Sequence, residues 1–352
     1  MEYRYKVVIA DGYKEVSDIE RNILGKLGTE VIAGHCTSTM DIIDSARDAD
    51  ALLVDALPIT RDVFDKLNKL KVVVRYGVGL DNIDVRAATE CGVQVVNIPG
   101  AMTVEVAEHT VALLLAIVRK IPMADRLVKS GKWADPDPDS WARPVPRIRG
   151  KTVGVLGFGR IGRAVADLLK SFKVRIVAYD PYVKPELIRK FGVRPVRSLG
   201  ELLKKSDFIT IHLPLTDQTR HMIAEKEFKL AKRGLFMVNC ARGAIVDPEA
   251  LRKALSEGQI AGFATDVFEK EPVEPNDPLL KLENLTATPH MAFYSDEVHD
   301  KFRSQACMEI VRVLKAQRPA NLVNPEVLVK SRQKVRARRA LKGDRSQSHA
   351  MQ

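Results

Sequence analysis

The chain has 352 residues, 45% of them hydrophobic and 29% charged, which allows two globular domains with separate cores and excludes a chain too polar to fold. Its net charge of +11 is uneven: residues 330–352 carry +7 and the rest only +4, so the body lacks the balance of a nucleic-acid-binding protein, and the end reads as a basic disordered tail. Charge within Met1–Lys6 argues against a signal peptide, and the longest apolar run, Val111–Val118, is too short for a bilayer, so a cytoplasmic protein without a membrane partner is expected.

Over the first hundred residues, short apolar runs alternate with helical patterns. Strands are predicted at Val7–Ala10, Glu30–Ala33, Ala51–Val54, Val72–Arg75 and Val93–Asn97. Between them, Thr60 is expected to cap a helix over Arg61–Leu67, and Asp84 one over Val85–Cys91 that stops at Gly92. Strands separated by helices imply a parallel sheet. A long helix follows from Thr103 to about Lys120, ended near Pro122. It is too apolar to be a one-sided surface helix, so burial between domains or subunits is expected. A second helix ends at Ser130-Gly131, and the alternating Asp and Pro of residues 135–139 make a loop. Trp133 and Trp141 are expected at a domain or subunit edge.

After Gly150 the alternation restarts, with strands expected at Thr152–Leu156, Arg175–Tyr179, Phe208–Leu213, Leu235–Asn239, Gly262–Asp266 and Leu285–Thr288 and a capping box at Ser198–Glu201. Directly after the first of these strands comes Gly157-Phe-Gly159-Arg160-Ile161-Gly162, followed by a helix. A lone G-x-G-x-x-G is weak evidence, but between strand and helix it is a dinucleotide fingerprint. Gly157 permits the turn, Gly159 lets backbone approach a pyrophosphate, and Gly162 lets helix and strand pack closely. Arg160 adds a charge at the helix N-terminus or is simply solvated. The next strand ends at Asp180, placed to bind ribose hydroxyls and to repel a 2′-phosphate, which favours NAD over NADP; its bland alternative is a turn former before Pro181.

Ligands of open α/β sheets sit beyond the carboxyl ends of the strands. There the later strands lead into His212 and Pro214, into Cys240-Ala241-Arg242, through Asp266 to Glu271-Pro272, and into His290. Reduction of a 2-oxo acid needs a cation for the carboxylate and carbonyl, a proton donor for the developing alkoxide, and a hydride source. Arginine and histidine supply the first two, and a neighbouring carboxylate favours the imidazolium. Taken singly, each residue reads as a surface ion pair or turn former; behind the glycine motif the joint catalytic reading prevails. His109 reads as structural. Four scattered cysteines without a C-x-x-C pair exclude a zinc site and a disulfide framework, and no metal is expected.

Over residues 1 to about 328 the chain resembles the D-isomer-specific 2-hydroxyacid dehydrogenases. The matching stretches are Gly77–Asp84, Gly154–Gly162, His212–Thr216, Asn239–Asp247, Asp266–Pro272 and Thr288–His290. The resemblance implies two doubly wound α/β domains of Rossmann or flavodoxin type, an NAD-binding domain (102–290) inserted in a discontinuous substrate domain (1–101 and 291–329). It implies Arg242, Glu271 and His290 as a catalytic triad and Asp266 as the holder of the nicotinamide carboxamide. Ile161, His212, Pro214, Cys240 and Ala241 would also line the cofactor. Arg75, Val78 and Gly79 would bind the substrate carboxylate, the last two through backbone N–H groups. Family members pair as homodimers through the 104–150 region. The implied substrates are 3-phosphoglycerate, glyoxylate or hydroxypyruvate, and the chain is shorter than phosphoglycerate dehydrogenases with regulatory C-terminal domains. His290–Ser295 is similar to the segment found in carboxy-terminal-binding-protein corepressors, which makes an NAD-sensing interaction protein the alternative.

Overall fold

The computed structural model describes residues 3–11, 15–133 and 144–329. The chain divides into two compact units, Met102–Tyr294 and the segments flanking it in sequence, Met1–Ala101 and the chain from Ser295 on.

The flanking segments build a five-stranded parallel sheet from β1 (Tyr5–Ile9), β2 (Thr29–Ala33), β3 (Ala51–Val54), β4 (Val72–Arg75) and β5 (Gln94–Val96), in the order β2-β1-β3-β4-β5. This is the flavodoxin-like winding. Its central strand Ala51–Val54 is buried at every position, as a parallel strand covered on both faces requires. Asp84 accepts the Ala87 N–H and Gly92 closes the helix Val85–Cys91 in the left-handed conformation, as their residue types predict. Thr60 is different: its backbone is extended at the start of the helix Arg61–Lys66, but its hydroxyl makes no capping bond. The C-terminal segment is tied back to this sheet. Asn324 accepts the Val95 N–H and donates to the Val93 carbonyl, and Arg303 of the helix Asp296–Leu314 forms a buried ion pair with Glu20 at 2.8 Å.

The inserted unit carries seven parallel strands: β6 (Thr152–Leu156), β7 (Arg175–Tyr179), β8 (Arg194–Pro195), β9 (Phe208–Ile211), β10 (Leu235–Asn239), β11 (Ile260–Thr265) and β12 (Leu285–Ala287). Their order β12-β11-β10-β9-β6-β7-β8 is the dinucleotide-binding arrangement with one strand added at an edge. The sequence pattern gives six strands. β8 escapes it because two residues, one of them proline, carry no periodicity.

Other local features have simple causes. The helix Thr103–Val118 packs on this unit's own sheet and against the helix Arg160–Lys170, with Leu113, Leu114, Ile117 and Val118 in the core. Pro122 does not end it. Lys120 turns left-handed, and Pro122 lies in the first turn of the next helix, Ile121–Lys129, where its missing N–H costs nothing. The Ser198 hydroxyl caps the helix Leu199–Lys205, but the Glu201 carboxylate reaches the Arg197 N–H instead of closing a box on Ser198. Trp133 is 77% exposed. Trp141, the loop at 135–139 and the basic tail lie outside the described residues.

Candidate active site

β6 runs into a loop whose glycines are required by geometry. Gly157 has φ +90°, and a Cβ there would stand 2.7 Å from the His212 carbonyl oxygen. A Cβ on Gly162 would overlap the Gly157 carbonyl oxygen, so only glycine lets the helix Arg160–Lys170 start this close to the strand. Gly159, at the helix N-cap, faces open space and carries no side-chain cap, leaving the first N–H groups directed outward. Arg160 is exposed beside it and Ile161 is half-buried. At the end of β7, Asp180 accepts the Phe158 N–H (2.8 Å) and the Tyr182 N–H (2.9 Å), so it both braces the glycine loop and forms the turn at Pro181. A cradle of N–H groups that binds anions, beside a carboxylate, fits the pyrophosphate and ribose of NAD.

β9 stops at Ile211, one residue before His212, whose N–H donates to the Leu156 carbonyl (2.7 Å). The His212 Nε2 is buried and has no hydrogen-bond partner among the described residues, and burial pushes the imidazole down to about 3, so the ring is neutral. Pro214 is exposed. After β10, burial pushes the Cys240 thiol up to about 12 against a hydrogen bond with Thr110, which makes it an unreactive wall of the site. Ala241 and Arg242 are held by Asn239, whose side chain accepts the Ala241 N–H and donates to the Arg242 carbonyl.

Three side chains separated in sequence gather beside this loop. His290 Nδ1 lies 2.5 Å from Glu271 Oε2, and the other Glu271 oxygen accepts the Phe268 N–H at 2.8 Å. Burial alone would raise the Glu271 pKa. The bonds from His290 and Phe268, with the positive charges of His290 and Arg242, instead hold it below the usual carboxylate range. Arg242 Nη1 donates to the Ala241 carbonyl at 2.7 Å, which directs the guanidinium. Gly243 brings the two loops together: a Cβ there would overlap the backbone of Phe268 and Glu269. The sequence reading passed over that glycine, because nothing local marks a backbone contact 25 residues away.

His290 has φ +53°, a left-handed conformation costly for a side chain of its size. Hydrogen bonds on both sides hold it. The His290 N–H donates to the Asp266 carbonyl (2.8 Å), and the Asp266 carboxylate accepts the N–H groups of Met291 (2.9 Å) and Ala292 (2.7 Å) and the Thr288 hydroxyl (2.5 Å). Asp266 is 1% exposed, so its first task is to fix this turn. These bonds also keep Met291–Tyr294 within the cofactor unit, four residues beyond the boundary read from the sequence.

In the other unit, Arg75 donates to the Tyr76 carbonyl (2.9 Å) and lies 3.7 Å from Asp55, so its charge is already engaged. Beyond it Gly77 takes φ +136°. Among the described residues neither Val78 nor Gly79 donates its N–H to a backbone carbonyl, and Val78 is exposed.

Comparisons with known proteins follow the same outline. Residues 111–292 match the profile described as D-isomer specific 2-hydroxyacid dehydrogenase, NAD binding domain. The chain is 43% identical over 294 residues to a glyoxylate reductase of Korarchaeum cryptofilum, covering 82% of this chain and 86% of that protein. It is also 43% identical over 303 residues to the D-3-phosphoglycerate dehydrogenase of Methanocaldococcus jannaschii, covering 86% of this chain; it spans only 56% of that relative's length. Among solved structures, D-lactate dehydrogenase of Aquifex aeolicus, complexed with NAD and lactic acid, superposes with a TM-score of 0.79 at 30% identity, over 90% of this chain and 98% of that one. These relatives are enzymes and lend no support to the corepressor-like alternative. Among the described residues no helix is long and apolar enough to cross a membrane. The chain belongs to the D-isomer specific 2-hydroxyacid dehydrogenase family of NAD-dependent oxidoreductases.

Proposed function

We propose that this chain interconverts a small 2-oxo acid and its D-2-hydroxy acid, of the glyoxylate, hydroxypyruvate or phosphohydroxypyruvate class, with NAD as cofactor and Arg242, Glu271 and His290 as its catalytic residues. The observation that carries the reading is the 2.5 Å His290–Glu271 pair with the Arg242 charge acting on it, at the same strand ends as a glycine loop shaped for a dinucleotide. When bound, NAD(H) supplies or accepts the hydride. The guanidinium of Arg242 holds the substrate carboxylate and polarises the carbonyl. His290 gives its Nε2 proton to the carbonyl oxygen as the alcohol forms and takes it back in the reverse direction. Glu271 binds Nδ1, which fixes the tautomer, directs Nε2 outward and stabilises the imidazolium. The open N–H groups of Val78 and Gly79 are read as a second hold on the substrate carboxylate. Asp180 is assigned to the ribose hydroxyls, so NADH is expected to be used better than NADPH.

The test is NADH oxidation across a panel of glyoxylate, hydroxypyruvate, phosphohydroxypyruvate, pyruvate and larger 2-oxo acids. Turnover with at least one of the first three is expected. Rates no higher than those of His290→Ala across the whole panel would end the proposal. Exposed Val104, Ile121, Val128 and Trp133 on or just after the helices Thr103–Val118 and Ile121–Lys129 support a homodimer through this face, checked by sedimentation of the wild type against Trp133→Lys. A cytoplasmic location completes the reading.

A further inference from the structure

His109, which the sequence marks only as a histidine on a buried helix, lies against the turn that presents His290. Its Nε2 is 3.0 Å from Thr288 Oγ and 3.6 Å from Asp266 Oδ1. Thr288 Oγ is in turn 2.5 Å from Asp266 Oδ1. The direction of this chain follows from donor counting. A carboxylate only accepts, so the single Thr288 proton goes to Asp266. The hydroxyl is then left as an acceptor toward His109, whose Nε2 must carry a proton. The ring thus adds an N–H dipole, beside the N–H groups of Met291 and Ala292, near a carboxylate that is 1% exposed, and a buried carboxylate needs such donors.

Asp266 occupies the centre of the arrangement. Its carbonyl accepts the His290 N–H, and its carboxylate accepts Met291 and Ala292, so the left-handed His290 is bracketed on both sides by one residue. Whatever fixes the Asp266 carboxylate therefore also fixes the acid/base imidazole.

We propose that His109 is a positioning residue: by donating to the Thr288 hydroxyl it sets the orientation of Asp266, and through it both the nicotinamide side of the cofactor site and the turn that aims His290. This rests on the reading above that these strand ends face NAD and substrate. It adds a residue 179 positions away from Thr288 in sequence, on an element with no other part in the chemistry.

The experiment measures NADH affinity by fluorescence titration, then kcat and KM for the best 2-oxo acid, and Tm, in His109→Ala, His109→Gln and Thr288→Val. The Gln amide places an N–H donor near the Nε2 position. Loss of this hydrogen bond is expected to weaken NADH binding and lower kcat about tenfold each in His109→Ala, with KM for the 2-oxo acid changed less than about twofold. His109→Gln should recover most of both losses. Thr288→Val should match His109→Ala, and the double variant should be no worse than either, since both cut the same chain. NADH affinity and kcat unchanged in His109→Ala overturn the proposal. Equal losses in His109→Ala and His109→Gln overturn it too, because packing alone is then at stake. The NADH titration reads out even if no 2-oxo acid is turned over, so failure of the proposed reaction and failure of this inference are separable.

Discussion

Both sheets reverse their strand order at one point, and a crevice opens there in each: between β1 and β3 in the five-stranded sheet, and between β6 and β9 in the seven-stranded one. In the first, the Asp11 carboxylate after β1 accepts the N–H groups of Asp55 (2.7 Å), Ala56 (2.6 Å) and Leu57 (2.7 Å) after β3. The protein's own anion fills the place where a ligand's anion would sit. In the second, glycines stand where that acid stands, Gly159 faces open space, and the helix N-terminus is uncapped. The winding is shared, but one switch point is sealed by a side chain and the other is left for a cofactor. Topology offers the site, and a few residues decide whether it is used.

If the open switch point is the working one, its rim should respond far more strongly to substitution than the sealed crevice. The largest effect is expected for His290→Ala and Arg242→Lys, which should lower kcat by about 10²- to 10⁴-fold while NADH still binds. Steady-state kinetics and a fluorescence titration check both halves of that statement. Gly157→Ala forces a Cβ against the His212 carbonyl and a positive φ on alanine, so NADH affinity should fall at least about tenfold. In the sealed crevice, Asp11→Ala strips an acceptor from three N–H groups. It should cost about 1–3 kcal/mol of stability, read as a lower Tm, and leave the NADH affinity of the purified protein unchanged. Altered cofactor binding in Asp11→Ala would contradict the contrast between the two crevices.

Glu271→Gln sharpens the catalytic half. The Glu271 pKa is held below the usual carboxylate range, so the anion persists through neutral pH. Without the anion, Nδ1 loses the partner that fixes the ring, so kcat for reduction should fall about tenfold or more in steady-state kinetics while NADH still binds. The smallest effect concerns His212. Burial holds its folded value at about 3, below the 6.5 of a free imidazole, so the unfolded chain binds the extra proton first. Stability of the cofactor-free protein should therefore drop as pH falls from about 6.5 toward 3, and His212→Asn should lose that part of the slope in Tm against pH.

Legibility from sequence varied with the range of the forces involved. β6, β7 and β10 were readable to the residue because each has a buried apolar centre bounded by polar or glycine punctuation. The glycine loop was readable because its demand for missing side chains is local, and the gathering of Arg242, Glu271 and His290 because their three motifs follow strands of one sheet. Asp266 was read through its motif as a ligand for the cofactor, whereas in the fold most of its acceptor capacity goes to the turn after β12. His109 was read as structural because its partner lies 179 residues away and no periodicity encodes that pairing. Gly243 and Asp11 were missed for the same reason.

The sequence by itself determined the parallel α/β character, the place of the dinucleotide loop and which polar side chains follow the strands, since each depends on short-range sterics or on residue chemistry at strand ends. Only the tertiary structure decided which crevice is closed, how the Arg242 and Glu271 loops are pressed together at a glycine, and how one buried carboxylate holds the His290 turn. Those are contacts between distant segments, and their energy appears only when the sheet has brought the segments side by side.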